Sequence, residues 1–226
     1  MVYTKQGGQE EAETICLENH ADRIVFELLN KYKNRKGLEI GCGKGRWLKV
    51  FNNLDGFDIS KRYIKNNKKE MGNRIWVDDI NKPKRTRKKY DFVISTGLIE
   101  HFENSLRIIK NHLLFLNTNG ICIITVPALG IDGLLQVETC KNQGKDDWRE
   151  YGRRIGEKEL DALMSASGLK NINIIHAGSI LRGSPRLKDL GLVLFVLHCL
   201  GYIIQNIPLN SLEKKYGHML IGVGRT

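Results

Sequence analysis

Residues 38–46 read Leu-Glu-Ile-Gly-Cys-Gly-Lys-Gly-Arg, a short apolar run followed by glycines at 41, 43 and 45. Glycines at this spacing let a strand turn sharply into a helix while the backbone closes on a ligand. A helix that begins just afterwards aims its free N–H groups at that ligand. Glu39 stands two residues before the first glycine, and Asp58, in Gly56-Phe-Asp-Ile-Ser60, follows Glu39 by 19 residues. That is about the separation at which a carboxylate takes a ribose hydroxyl. Together these residues describe a site for an adenosine-containing cofactor. The loop departs from the dinucleotide fingerprint G-x-G-x-x-G: Arg46 stands where the last glycine belongs, and the third glycine comes one residue early. An acid on the strand that feeds the loop, Glu39, suits a cofactor without a pyrophosphate. On its own a glycine loop is equally compatible with a plain strand–turn–helix.

The pattern acid-x-Gly-x-Gly-x-Gly resembles the first motif of the class I S-adenosylmethionine-dependent methyltransferases. Three further stretches fit that family in order: Arg74-Ile-Trp-Val-Asp-Asp79, a strand ending in two acids; Tyr90-Asp-Phe-Val-Ile-Ser-Thr-Gly-Leu-Ile-Glu-His101; and Asn119-Gly-Ile-Cys-Ile-Ile-Thr-Val-Pro127. The resemblance covers residues 36–127, is closest to the small-molecule branch often called type 11, and thins beyond residue 128. It implies S-adenosyl-L-methionine as cofactor; no metal site is expected. It implies that Glu39, Gly41, Cys42, Gly43 and Gly45 wrap the methionine end, that Asp58 holds the ribose hydroxyls, and that Asp78 or its neighbour Asp79 meets the adenine amino group. Ile59, Ser95 and Thr96 complete the cofactor set implied.

Methyl transfer from a sulfonium needs little acid–base help, because the cofactor is already electrophilic and the protein mainly aligns the reacting atoms. A base matters when the acceptor is protonated at working pH. His101 and Glu100 are the nearest titratable groups to the end of the fourth strand, and His101 is the candidate general base; the plainer role for it is a histidine packing against the cofactor loop. Tyr151, Trp148 and His176 are lesser candidates. Ser95-Thr-Gly-Leu98 stands where amino-group nucleic-acid methyltransferases carry Asn/Asp-Pro-Pro-aromatic, and the Pro-Cys pair of cytosine-C5 enzymes is missing there. Thr139-Cys140 falls in an irregular region and is read as incidental. Base methylation by those families is therefore disfavoured.

These residues must be positioned by alternating elements. Strands are read at 37–41, 54–58, 74–78, 91–96 and 120–126, and helices at 46–52, 60–71 and 103–116, preceded by an amphipathic helix over 9–33. Ser60 is a candidate N-cap and Gly72 a stop. Such alternation means right-handed crossovers and a parallel sheet covered on both faces. Residues 128–156 read as an irregular insertion, 157–167 as a helix ended by Gly168, and 171–178 and 217–224 as a closing hairpin. The expected fold is a Rossmann-like three-layer α/β sandwich. Its seven-stranded sheet is mostly parallel and ends in a C-terminal antiparallel hairpin. The chain reads as one domain over 1–226, with an N-terminal helix in 1–35, a cofactor core in 36–127 and acceptor-side elements in 128–226.

The uncharged run 190–212, densest over 190–204, passes a loose length test for a membrane span. A span there would separate two strands that should pair. The run therefore reads as packed core, a roof over the acceptor, a homodimer contact or an interfacial anchor flanked by Arg182, Arg186, Lys188, Lys214 and Lys215. The formal charge is +11, with six cations in residues 82–89 and five more at Lys61, Arg62, Lys65, Lys68 and Lys69. This suits RNA, an anionic membrane surface or a phosphorylated substrate as well as a merely solvated face. Residues 82–89 precede the fourth strand and are expected at the amino edge of the sheet, away from the cofactor. Met1–Glu10 is polar, unlike a secretory leader. The five cysteines lack metal or disulfide spacing, so a reducing cytoplasm is expected, with peripheral membrane contact. The reading that follows is a methyltransferase for a small-molecule or lipid-linked acceptor. An RNA methyltransferase, a non-catalytic cofactor-binding regulator and, last, a nicotinamide oxidoreductase are the alternatives.

Overall fold

The computed structural model describes residues 15, 20–129, 153–178 and 218–226. Helix α1 (His20–Lys31) turns one face inward through Ala21, Val25 and Leu29, at helical spacing. Strand β1 (Gly37–Ile40) is buried at every position, as a central parallel strand must be. It is followed by α2 (Arg46–Val50), β2 (Leu54–Asp58), α3 (Lys61–Met71), the edge strand β3 (Ile75–Val77) and β4 (Tyr90–Thr96). Then come α4 (Ser105–Leu113), β5 (Leu116–Pro127), α5 (Glu157–Ser167), β6 (Lys170–Ala177) and β7 (Met219–Arg225).

The sheet has seven strands in the order β3-β2-β1-β4-β5-β7-β6. Strands β1 to β5 pair in parallel, and β7 runs antiparallel between β5 and β6. This is the expected Rossmann-like sandwich with its closing hairpin. One buried core joins α4 and α5 to one face through Ile108, Ile109, Leu160 and Met164. The other joins α1, α2 and α3 to the opposite face through Val25, Leu29, Trp47, Leu48 and Ile64. From β1 the chain winds outward to β2 and β3, then returns to place β4 on the other side of β1. Strand order reverses there, which opens a crevice beyond the carboxyl ends of β1 and β4.

Several boundaries differ from expectation. The run Leu114-Phe115-Leu116 extends the helical pattern of 103–116, yet α4 stops at Leu113. Phe115 is fully buried, its carbonyl accepts the Tyr90 N–H at 2.8 Å, and the chain has already entered β5. Asn119, at φ 62°, lets that strand kink before the regular pairing of Phe92 with Ile121. Ile15 is not helical and α1 begins at His20, so the early part of the expected helix over 9–33, residues 9–14 and 16–19, lies outside the described residues. So do the run 190–212 with its flanking cations, the middle of the expected insertion with Trp148 and Tyr151, and Thr139-Cys140. The insertion's end is described: Ala128 and Ile155 form a parallel bridge, which lays residues 153–155 beside the end of β5.

The expectation for residues 82–89 needs correction. Lys88 does pair with Asp55 near the start of β2. The N–H groups of Lys84 and Arg85, however, donate to Asp78, just past the carboxyl end of β3, at 3.1 and 3.4 Å. The loop must run from one edge of the sheet to the other, so its cations are spread along the flank.

Gly37 shows how tightly the central strands meet. A Cβ there would lie 2.1 Å from Phe92 Cζ and 2.6 Å from Leu54 Cδ2, and both side chains are fully buried. Gly37→Ala should cost about 1–3 kcal/mol, the range for overpacking a core. A lower urea midpoint at unchanged slope would show it.

Candidate functional site

The glycine loop leaves β1 through three left-handed residues, Gly41 at φ 70°, Gly43 at 50° and Gly45 at 69°. The N–H groups of Gly41 and Cys42 both donate to the Phe57 carbonyl, at 2.9 and 3.0 Å, and Gly45 N–H closes the turn on Cys42 O at 2.7 Å. The three glycines do different work. A Cβ at Gly41 would press on Leu98 at 2.9 Å and one at Gly45 on Met71 at 2.6 Å, whereas one at Gly43 would meet nothing within 4 Å. The Gly43 side of the loop is thus where a ligand can approach the backbone.

Asp58 closes this cradle. Its Oδ2 accepts the Gly43 N–H and its Oδ1 the Ser60 N–H, each at 2.8 Å. A carboxylate has about four lone-pair positions, so Asp58 retains acceptor capacity for vicinal ribose hydroxyls. Ser60 in turn caps α3, accepting the Tyr63 N–H at 3.3 Å. Ile59 is 68% exposed beside the carboxylate, an apolar surface on which an adenine ring can rest. Of the two acids after β3, Asp78 is buried and taken up by the N–H groups of Asp79, Lys84 and Arg85. Asp79 is half-buried and accepts only the Asn81 N–H among the bonds described, at 2.9 Å. Asp78 therefore shapes the turn, and Asp79 is the acid with more capacity left. Glu39 is buried at the strand end. Burial, and then the charges of Glu39 and Asp58, push the Cys42 thiol far up, so it stays neutral and is no nucleophile. Ser95 is fully buried with an unpartnered Oγ, and Thr96 is half-buried at the end of β4. An open glycine cradle, a carboxylate with spare lone pairs and an exposed aliphatic beside it fit the adenosine and amino-acid ends of S-adenosylmethionine.

Past β4 the chain turns at Gly97, φ 62°, whose N–H donates to Thr125 O at 3.0 Å. The short turn Ile99–His101 then places Glu100 and His101 together beyond the carboxyl end of the sheet. Glu100 is 2% exposed and its Oε2 has no hydrogen-bond partner among the described residues. Burial pushes its carboxyl up to about 7, against a backbone hydrogen bond and the charges of Arg154 and Arg153. His101 is half-buried. His176 is engaged with Glu157 of α5 at 2.9 Å.

Sequence reading missed three features. Arg46 grips Asp22 in the first turn of α1 with both guanidinium ends, at 2.8 and 3.2 Å, and lies over the Trp47 ring at 4.8 Å. Arg153 donates its N–H to Glu100 O at 3.2 Å, reaches Ser105 Oγ at 3.1 Å and pairs with Glu159. His20 and His218 both meet Gly178, His20 Nδ1 taking its N–H at 3.4 Å and the His218 ring lying against its α-carbon. A basic residue directly after the glycines was the one available signal for the first; the other two join distant segments and leave no local trace.

Residues 12–174 match a protein family described as "Methyltransferase domain". An uncharacterised protein of Methanocaldococcus jannaschii is 28% identical over 137 residues, 61% of this chain. The chain spans 65% of the length of that curated relative. A SAM-dependent methyltransferase from Thermotoga maritima superposes with a TM-score of 0.57 at 15% identity, covering 92% of this chain and 97% of that one. One from Archaeoglobus fulgidus gives 0.57 at 14%, covering 90% and 94%. Phosphoethanolamine N-methyltransferase 2 of Haemonchus contortus, solved with S-adenosyl-L-methionine, gives 0.56 at 14%, covering 90% and 52%. At these identities the likeness is one of fold.

S-adenosylhomocysteine should raise the melting temperature through linkage, by about 2.7 kcal/mol of stability at a hundred times its Kd, and NAD should not. Asp58→Ala should abolish most of that shift by removing the hydroxyl acceptor. Gly43→Val should abolish it by filling the open side of the loop at a backbone angle that side chains resist. Differential scanning fluorimetry checks all three, and a full shift in folded Asp58→Ala would overturn the assignment.

Proposed function

The chain belongs to the methyltransferase-domain family, whose cofactor is S-adenosylmethionine, and from that premise we propose that it methylates a small-molecule or lipid-linked acceptor. The sulfonium supplies an electrophilic methyl group, so the chain's own task is to bind, orient and manage one proton. In this reading the loop from Glu39 to Gly45 cradles the amino-acid end, Asp58 holds the ribose hydroxyls, and Ile59 and Asp79 flank the adenine. Ser95 and Thr96 line the floor at the end of β4. Family membership sets aside the nicotinamide reading of the glycine loop.

The observation that carries the acceptor reading is Glu100. A buried carboxyl that titrates near neutrality, with one oxygen unsatisfied, is suited to take a hydrogen bond from an acceptor's N–H or O–H and then its proton. Such a group serves a compact acceptor that reaches into the end of the sheet. His101, in the same turn, is the second proton carrier. Among the described residues no helix is long and apolar enough to cross a membrane. A lipid-linked acceptor and peripheral docking from the cytoplasm remain part of the proposal through the run 190–212.

Turnover of labelled cofactor against a metabolite extract tests the activity itself, and its absence alongside intact cofactor binding would favour a regulatory protein. The proton role has its own readout. The rate with acceptor should rise with pH through an apparent pKa near 7, and Glu100→Gln should remove that limb and slow transfer by about a hundredfold or more. Stability should run the other way. The folded pKa is raised from 4.5 to about 7, so the folded state binds more protons across that window and stability falls as pH rises. The contribution is complete below about pH 4.5 and lost above about 7, of the order of 3 kcal/mol in all. Urea titrations should find Glu100→Gln without this slope and more stable than the wild type at alkaline pH. An unchanged rate profile in Glu100→Gln would move the proton role to His101.

A further inference from the structure

Helix α3 breaks two rules that a helix selected for stability alone would keep. Its first turn carries Lys61 and Arg62 and no acid, so two cations sit at the positive end of the helix dipole. Lys61, Lys65 and Lys69 stand four residues apart and are all exposed, a ladder of like charges that repel along one face. Glu70 is the helix's one acid. Residues 82–89 add six exposed cations and no acid.

The two groups flank one strand. β3 is the edge of the sheet. From α3, Lys68 Nζ donates to Ile75 O at 3.4 Å; from the loop, the Arg85 guanidinium lies over the Trp76 ring at 5.5 Å. Ile75 and Trp76 are consecutive in the strand and belong to the cores on opposite faces of the sheet. Cations therefore clasp the edge from both layers. Lysines on an edge strand guard it against mispairing, but a ladder of like charges that strains α3 goes beyond that need.

We infer that this flank is a docking surface for the phosphate backbone of a single-stranded nucleic acid, with Tyr63, 36% exposed on α3, as a stacking face for a base. A lipid surface fits less well. Apart from Tyr63, the exposed positions of α3 are cationic or polar, and residues 82–89 contain no aliphatic or aromatic side chain to insert. The surface begins at Lys61, three residues from Asp58, so a bound strand would lead toward the carboxyl edge. This binding is independent of which acceptor is methylated.

The test is fluorescence anisotropy of the full chain with a labelled mixed-sequence oligoribonucleotide, over about 50 to 200 mM salt. Two triple variants spare the cations with structural partners: Lys61→Gln with Lys65→Gln and Lys69→Gln, and Lys82→Gln with Lys84→Gln and Arg87→Gln. Wild-type affinity should fall steeply with salt, with a log–log slope of about −4 for six phosphate contacts at about 0.7 each. Each triple should flatten the slope by about 2 and weaken binding at least tenfold, with the shift induced by S-adenosylhomocysteine unchanged. The α3 triple should also hold or raise the urea midpoint, since it relieves repulsion. No oligonucleotide binding at low salt, or wild-type affinity and salt slope in both triples, would overturn the proposal. A lowered midpoint in the α3 triple would make its cations structural and overturn it too. Binding to phosphatidylserine vesicles in place of the oligonucleotide would replace the partner with a membrane.

Discussion

The carboxylate of Asp58 is the joint on which the cofactor half of the molecule depends. It takes one N–H from the loop after β1 and one from the start of α3, and so locks two crossovers to the end of β2. Both donors are backbone amides whose positions follow from φ angles. The left-handed turn at Gly43 and the capped entry to α3 are therefore one structure held by one charge. A carboxylate with two N–H bonds still has acceptors to spare. The group that shapes the cradle is thus also suited to read what enters it.

A second tie extends this order to the N-terminal layer. Arg46 follows the last glycine of the loop, stacks on the buried Trp47 and holds Asp22 through two parallel hydrogen bonds. Bidentate pairs of this kind fix angle as well as distance. The first turn of α1 is thereby referenced to the glycine loop itself, and His20 comes to the same carboxyl edge as Gly178 and His218. Strand reversal between β1 and β4 opens the crevice, and the Arg46–Asp22 pair sets what stands at its rim. On the opposite side Arg153 does similar work, binding the Glu100 carbonyl with its amide and Ser105 and Glu159 with its side chain.

How much of this could be read in advance depended on the range of the cause. Strand and helix order, the Ser60 cap and the closing hairpin were legible because periodicity and capping act within a few residues. The glycines were legible because only glycine accepts their backbone angles cheaply. The division between Asp78 and Asp79 was not, since it rests on amides of Lys84 and Arg85 arriving from a loop that composition marks only as basic. The same blindness put the first part of that loop, Lys84 and Arg85, at the wrong edge, while Lys88 lies where expected: order along the chain says where a loop ends, not what its middle touches. Helix α4 ended early for a tertiary reason, the burial of Phe115, that local propensity cannot express. Arg153 and Arg154 beside Glu100 depend on a bridge between Ala128 and Ile155, a contact with no pattern of its own.

The two halves of the site consequently obey different physics. Around the glycine loop, the cradle is carried by backbone geometry and one carboxylate with acceptors to spare, so most side chains there could vary without its loss. Past β4, the buried Glu100 is under opposing influences: desolvation raises its pKa, and a backbone hydrogen bond and then the charges of Arg154 and Arg153 lower it. An acceptor that displaced water or brought its own charge would shift this balance, and with it the proton affinity of Glu100, at the moment of binding. Arg153 and Arg154 thus bear on the proton affinity of Glu100 through their charge, because a carboxyl's proton affinity is set by the field around it.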